Sequence, residues 1–185
     1  EDYGFFGFFL IVLGLLIGVD FSKNLITMYV FYELMTLTSL PLVLHERTKE
    51  AVMAGLKYQF YSVAGAFLAL FGIFVLVQIC GNQTFTPGGV IVRLANGGMI
   101  SVERTMVSSV YFREGLFLAA VFCIFVGFGA KAGMFPLHGW LPTAHPVAPA
   151  PASAVLSGVI TKSGVLAILR VAYFVVGPDV LRGTW

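Results

Sequence analysis

Apolar residues fill five long stretches of this chain, Gly4–Val19, Leu25–Leu44, Ala51–Cys80, Gly115–His145 and Ala150–Val176, with polar breaks between them. A membrane-spanning helix needs about 20 mostly apolar residues, with a range of roughly 17–25. No stretch alternates apolar with polar as a barrel strand does, and lipid offers a bare backbone no hydrogen-bond partner, so all five are expected to be helices. The pattern therefore predicts an all-α integral membrane protein with five crossings and its two ends on opposite faces. Gly4–Val19 is short for a span, which fits a helix whose beginning lies upstream of Glu1. Ala51–Cys80 is long enough to tilt or to project from the bilayer.

The fourth stretch breaks the pattern. It is too long for one comfortable crossing and contains Gly127, Gly129, Gly133, Pro136 and Pro142. Proline removes a backbone donor and clashes with the preceding turn, so an interruption is expected between about Lys131 and Pro136, with Gly133 and Pro136 marking it. Discontinuous helices survive at membrane depth only where protein or a wet cavity covers them, and they recur at transporter ion sites. The connection 81–114 is polar. Val90-Ile-Val-Arg-Leu94 and Met99-Ile-Ser-Val-Glu103 flank Ala95-Asn-Gly-Gly98, which reads as a small extramembrane β-hairpin. Arg47 and Lys49 lie in one short loop, with Lys23, Arg93, Arg104 and Arg113 on the other side. The denser short loop gives a weak preference for the cytoplasmic side there.

Composition agrees with the solvent this pattern implies. The chain is 58% hydrophobic and 11% charged, against about 25% charged residues in soluble domains. Its net charge of +2 is spread over 11 basic and 9 acidic residues without a basic run, which argues against a nucleic-acid partner. Cys80 and Cys123 stand far apart inside apolar runs and read as packing residues rather than metal ligands or a disulfide. The opening Glu1-Asp2-Tyr3 lacks the basic region and cleavage site of a signal peptide, and the chain reads as a piece of something longer. No phosphate loop, zinc spacing, haem ligand pair or nucleophile set is visible, so no cofactor and no catalysis by this chain itself are expected.

Candidate chemistry lies in the few ionisable residues at membrane depth, because a charge at the centre of a spanning helix costs roughly 2.5–3.5 kcal/mol. Lys162 stands near the middle of its run, and Ser153, Ser157 and Thr161 form a polar stripe beside it at four-residue spacing. The competing reading is a packing seam with a structurally paired lysine. Glu33 is deep in its own run, near Tyr32 and Thr36, and serves either function or a static ion pair. Lys57 opens the third stretch close to Arg47 and Lys49, so its position favours the membrane interface. Lys131 either caps the shortened helix, where the C-terminal dipole favours a cation, or faces a cavity at the break. His138 and His145 are seven residues apart around Pro142 and suit proton transfer or hydrogen bonding in the loop. Trp140 reads as helix packing.

Taken together, Tyr32-Glu-Leu-Met35, Lys57-Tyr58, Gly129-Ala-Lys131, Phe135-Pro-Leu-His-Gly-Trp-Leu-Pro142, Ala144-His-Pro146 and Thr161-Lys162 carry a family resemblance. They resemble the antiporter-like proton-translocating subunits of respiratory complex I. That family extends to multisubunit cation/proton antiporters and to the membrane arms of formate hydrogenlyase and other membrane-bound hydrogenases. The likeness runs from Val19 to Arg170. It implies one of two inverted five-helix repeats, here the first, and a relay of Glu33, Lys131 and Lys162 with Lys57 as an additional lysine. It also implies protons or monovalent cations as cargo, other membrane subunits and iron–sulfur redox subunits as partners, and a prokaryotic plasma membrane. Thr143 stands where the family often has aspartate, which leans toward the hydrogenase branch. A secondary cation/proton antiporter and an inert hydrogenase anchor are the competing readings; buried lysines argue against the anchor.

Overall fold

The structure is a computed structural model, and it describes residues 2–80, 84–93, 99–101 and 110–184. Helix α1 runs from Asp2 to Phe21, α2 from Leu25 to Val43 and α3 from Lys49 to Cys80. The α4 helix covers Val110–Ala132, and beyond its break come α5, Leu141–Val147, and α6, Ala150–Val155. The last elements are α7, Thr161–Arg170, and α8, Pro178–Thr184. Five helical runs are long and apolar enough to cross a membrane, at Tyr3–Phe21, Leu25–Val43, Lys49–Gln78, Gly115–Val147 and Ala150–Val176. The protein is therefore a multi-pass integral membrane protein.

Local chemistry sets the helix ends. Asn24 caps α2 by accepting the Thr27 amide at 2.7 Å, and Thr48 accepts the Ala51 amide at 3.1 Å at the start of α3. Each satisfies a donor that a first turn would otherwise leave free. Helix α1 spans 20 residues, about 30 Å at 1.5 Å per residue. Asp2 and Phe21 carry it beyond both ends of the apolar run Gly4–Val19. The 32 residues of α3 reach about 48 Å, well beyond the roughly 30 Å hydrocarbon core.

The fourth crossing is interrupted as its glycines and prolines imply. After Ala132, Gly133 takes φ +75°. Its amide bonds Ala130 O at 3.4 Å while the Met134 amide bonds Gly129 O at 2.8 Å. This pair of bonds is the Schellman arrangement, which needs a left-handed residue that glycine adopts without strain. Phe135–Pro136 is a cis peptide, followed by a single 3-10 turn over Leu137–Trp140. Trp140 then donates its indole N–H to Ala130 O at 2.9 Å, a second and shorter bond to the carbonyl that already takes the Gly133 amide, so the far side of the break is tied to the helix end. The fifth crossing is less regular than its composition implies, with π-helical turns at Leu156–Ile160 and Val171–Val176.

Across the connection, the fold departs from expectation. Strands β1, Ile91–Arg93, and β2, Met99–Ser101, pair antiparallel through three residue pairs. The β-hairpin expected over Val90–Glu103 is corrected to this minimal ladder. Leu94, the Asn96-Gly97 turn, Val102 and Glu103 lie outside the described residues. An isolated two-stranded ribbon is marginal in water. The polar connection also ends sooner than expected, because α4 begins at Val110 rather than Gly115.

Packing follows small residues. A Cβ on Gly65 would meet Gly127 O at 2.7 Å, and one on Gly127 would meet the Ala69 amide nitrogen at 2.6 Å. Helices α3 and α4 therefore touch backbone to backbone, the close approach that membrane helices use when no hydrophobic effect drives them together. Phe60, Phe67, Phe71 and Phe74 of α3 are exposed, on the side available to lipid or to neighbouring protein. Inside lie Tyr32, Tyr58, Phe128, Trp140 and, among these rings, Lys131.

Candidate functional site

Helix α4 delivers Lys131 one residue before its own end, with a side chain only 1% exposed. The amine reaches across to α2, where it donates a hydrogen bond to Thr36 Oγ1. Two rings flank it, Tyr32 at 5.3 Å and Tyr58 at 5.4 Å from the ring centroids. Cation–π attraction of this kind reaches about 2 kcal/mol when the pair is desolvated. The rings are themselves held. Tyr58 OH and Ser39 Oγ share a 2.6 Å hydrogen bond, Tyr58 packs on Trp140 at 5.0 Å, and Tyr32 stands edge-on to Phe128 at 5.0 Å.

Glu33 is half-buried on α2, adjacent in sequence to Tyr32 and one turn before Thr36. It lies close enough to Lys131 for their charges to interact, yet no hydrogen bond joins them, and Glu33 Oε1 is buried without a partner. Lys131 thus sits in a neutral cradle of one hydroxyl and two rings, with the carboxylate outside direct contact. Such an arrangement can hold a charge and also let it respond to a small movement of α2.

The other sequence candidates fall elsewhere. Lys162 begins α7 and is exposed, as is Lys57 on α3, and neither joins Glu33 and Lys131 in the cradle. Among the described residues, the three-residue sequence Glu33, Lys131, Lys162 is not a continuous chain of contacts. His138 is exposed and stacks on Phe135 at 5.7 Å. His145, half-buried on α5, shares a 2.8 Å hydrogen bond between its Nδ1 and Ser153 Oγ. Gly133 and Pro136 lie at the break itself, directly after the lysine's helix. No three His, Cys, Asp or Glu side chains gather at one place among the described residues.

Sequence reasoning missed two arrangements. It placed Thr36 beside Glu33, whereas the hydroxyl serves Lys131; the signal was the spacing of Thr36, Ser39 and Tyr32 along one side of α2. It assigned nothing to Arg170. That guanidinium donates to Val19 O at 2.8 Å, to Ser22 Oγ at 3.1 Å and to Asp20 O, and lies 5.3 Å from the Phe85 ring. A cation at these carbonyls completes the C-terminal end of α1 and ties it to α7.

Comparison with known proteins places this geometry in a family context. Residues 22–181 match the family model described as NADH:quinone oxidoreductase/Mrp antiporter, transmembrane. Hydrogenase-4 component B of Escherichia coli (strain K12) is 36% identical over 167 residues, 90% of this chain and 22% of the relative. A Hydrogenase-4 component F homolog of Methylacidiphilum infernorum (isolate V4) is 38% identical over 149 residues, 80% of this chain and 29% of the relative. The fold resembles a chain of the membrane-bound sulfane sulfur reductase, an archaeal respiratory membrane complex, with a TM-score of 0.70 at 22% identity. That match covers 89% of this chain and 30% of the other. The chain thus spans 22–30% of the length of these three proteins.

Proposed function

The chain belongs to the transmembrane family of NADH:quinone oxidoreductase and Mrp antiporter subunits, and from that premise we propose that it carries protons or monovalent cations across a prokaryotic plasma membrane. It does so as the first five-helix repeat of a larger subunit, within a complex that includes other membrane subunits and iron–sulfur redox subunits. One observation carries the reading: a lysine buried in a spanning helix, at that helix's break, beside a half-buried glutamate. A buried charge of this kind is costly and marks an ion pathway by default. An inert anchor would have no use for it.

In this reading Lys131 is the loading site, and Glu33 stabilises its charge when α2 moves closer. At about 6 Å and an effective dielectric near 20, a carboxylate and an ammonium attract by roughly 2.8 kcal/mol. Movement over a few ångströms therefore changes the lysine's charge balance by an amount comparable to its burial cost. Lys162, exposed on this chain, cannot remain against lipid without a cost of roughly 2.5–3.5 kcal/mol. Its surface is therefore one that protein covers, and we assign that cover to the second repeat, to which Lys162 passes the proton. Lys57 plays an auxiliary part near the helix end, and His138 and His145 serve transfer at the loop. The hydrogenase relatives support a redox-driven complex over a secondary antiporter.

The test is coupled proton pumping by the assembled full-length complex in liposomes. Glu33→Gln should cut pumping several-fold and Glu33→Asp retain a substantial part of it, while Lys131→Ala and Lys162→Ala should each abolish most. Lys57→Ala should do less. Assembly is checked in parallel, since breaking a buried pair destabilises by about 3–5 kcal/mol. Parent-like pumping by an assembled Glu33→Gln complex would make the carboxylate structural.

A further inference from the structure

Lys57 and Tyr58 are neighbours on α3 that face opposite ways, since Lys57 is exposed and Tyr58 is fully buried. Three separate elements meet at Tyr58. Its hydroxyl bonds Ser39 of α2 at 2.6 Å. Its ring lies 5.4 Å from the Lys131 amine at the end of α4, and 5.0 Å from the ring of Trp140 beyond the break. One turn further along α3, the Tyr61 hydroxyl stands 3.2 Å from where a Cβ on Gly139 would lie, so α3 touches the segment after the break a second time.

The hydrogen bonds at the Tyr58 hydroxyl run in one direction. Ser39 Oγ gives its one hydrogen to Thr36 O at 2.8 Å, so in its bond with Tyr58 the serine accepts and the phenol donates. Ser62 bonds the same phenol. The phenol hydrogen is already committed to Ser39, so Ser62 donates to the phenol oxygen. Tyr58 is thus held at its hydroxyl from two sides, by a serine of α2 and a serine of its own helix. What it offers Lys131 is the face of its ring, not its hydroxyl. Trp140, packed on that ring, is fastened in turn to Ala130 O at 2.9 Å, one residue before the lysine.

We infer that Tyr58 is the positioning residue of Lys131, and that its ring carries a shift of the segment beyond the break to the lysine amine. The amine is placed by Thr36 and by two rings. Tyr32 stands on the same helix as Thr36, so that ring moves together with the hydrogen-bond acceptor. Tyr58 comes from a different helix and also touches Trp140. A displacement of Leu137–Trp140 therefore presses on Tyr58 and through it on the amine, while the bond to Ser39 ties the ring to α2 and resists the shift. The placement stands on these contacts, and its consequence for transport rests on the function proposed above.

The test uses the full-length subunit in its assembled complex, with proton pumping in liposomes and electron cryomicroscopy maps of the same variants. Tyr58→Phe keeps the ring and cuts its tie to Ser39. Pumping should fall by roughly two- to tenfold, the population ratio that one hydrogen bond of ordinary net strength maintains. Ser39→Ala should show the same loss, and Ser39→Thr, which keeps the hydroxyl, should pump close to the parent. The double variant Tyr58→Phe/Ser39→Ala should be no worse than either single one, because both remove the same bond. A role in packing alone would multiply the two losses. Parent-like pumping by Tyr58→Phe, multiplied losses in the double variant, or no rescue by threonine would overturn the assignment. The maps answer independently of transport: Tyr58→Leu should displace the Lys131 amine from Thr36 Oγ1, and an amine still seated there would overturn it as well. Tyr58→Met provides a second removal of the ring if Tyr58→Leu does not assemble. Lys131→Ala separates the two levels of inference. Parent-like pumping by that variant would remove the lysine relay and leave the maps to decide the place of Tyr58, whereas loss in Lys131→Ala without loss in Tyr58→Phe would keep the relay and remove the positioning role.

Discussion

At the scale of single residues, the environment of Lys131 is set by groups that carry no charge. A threonine hydroxyl and two tyrosine rings surround its amine, so its cost of burial is met partly by a hydrogen bond and partly by ring quadrupoles. Thr36→Val preserves shape and removes the acceptor. An unsatisfied buried group costs about 1–3 kcal/mol, and more when charged, so this variant should melt measurably lower in detergent, whereas Thr36→Ser should behave as the parent. Equal melting of parent and Thr36→Val would show that the amine finds another acceptor. Thr36 was visible in the sequence as a hydroxyl near Glu33, but the partner it serves is 95 residues away. Nothing local could reveal that choice.

At the scale of elements, two glycine positions decide how the helices stop and how they touch. Gly133 has φ +75°, where an added Cβ would also run into Leu141. Gly133→Ala should therefore destabilise by more than the roughly 0.4–1 kcal/mol that the same replacement contributes favourably at a compatible backbone, with the loss read as a lower thermal midpoint in detergent. Gly127 presses its backbone on α3, while Gly14 has nothing within 4 Å of a built Cβ. Gly127→Val should thus separate α3 from α4 and destabilise strongly, and Gly14→Val should be nearly neutral in the same assay. The break itself was legible, because Gly133 and Pro136 act within a turn or two of their own positions. The π-helical turns in the fifth crossing were not. No residue there forbids a regular helix, and such turns arise where packing asks for an extra residue.

At the scale of the whole molecule, the chain spans 22–29% of the hydrogenase relatives it resembles, and its exposed Lys162 lies outside the Lys131 cradle. The 185-residue chain alone should not move ions, since half-channels of inverted-repeat transporters meet between repeats. Proton flux through liposomes holding only this chain is expected to equal that of its Lys131→Ala variant. Flux well above that control would mean that this chain conducts by itself. Arg170 also acts at this scale, fastening the last crossing to the end of the first across 151 positions of sequence.

Class, number of crossings and the place of the interruption were determined by the sequence, because each depends on properties that neighbouring residues express together. Apolar length sets a span, and glycine with proline ends a helix wherever the chain lies. Glu33, Lys131 and Lys162 were likewise conspicuous as charges in apolar runs. What the tertiary structure alone decided is which of them meet. Lys131 turns inward to Thr36, Tyr32 and Tyr58, while Lys162 and Lys57 turn outward. Those choices depend on the register and rotation of α2, α3 and α4. Backbone contact at Gly65 and Gly127 and the Ser39–Tyr58 bond set that register, by pairing residues from separate helices whose rotation no single stretch of sequence specifies.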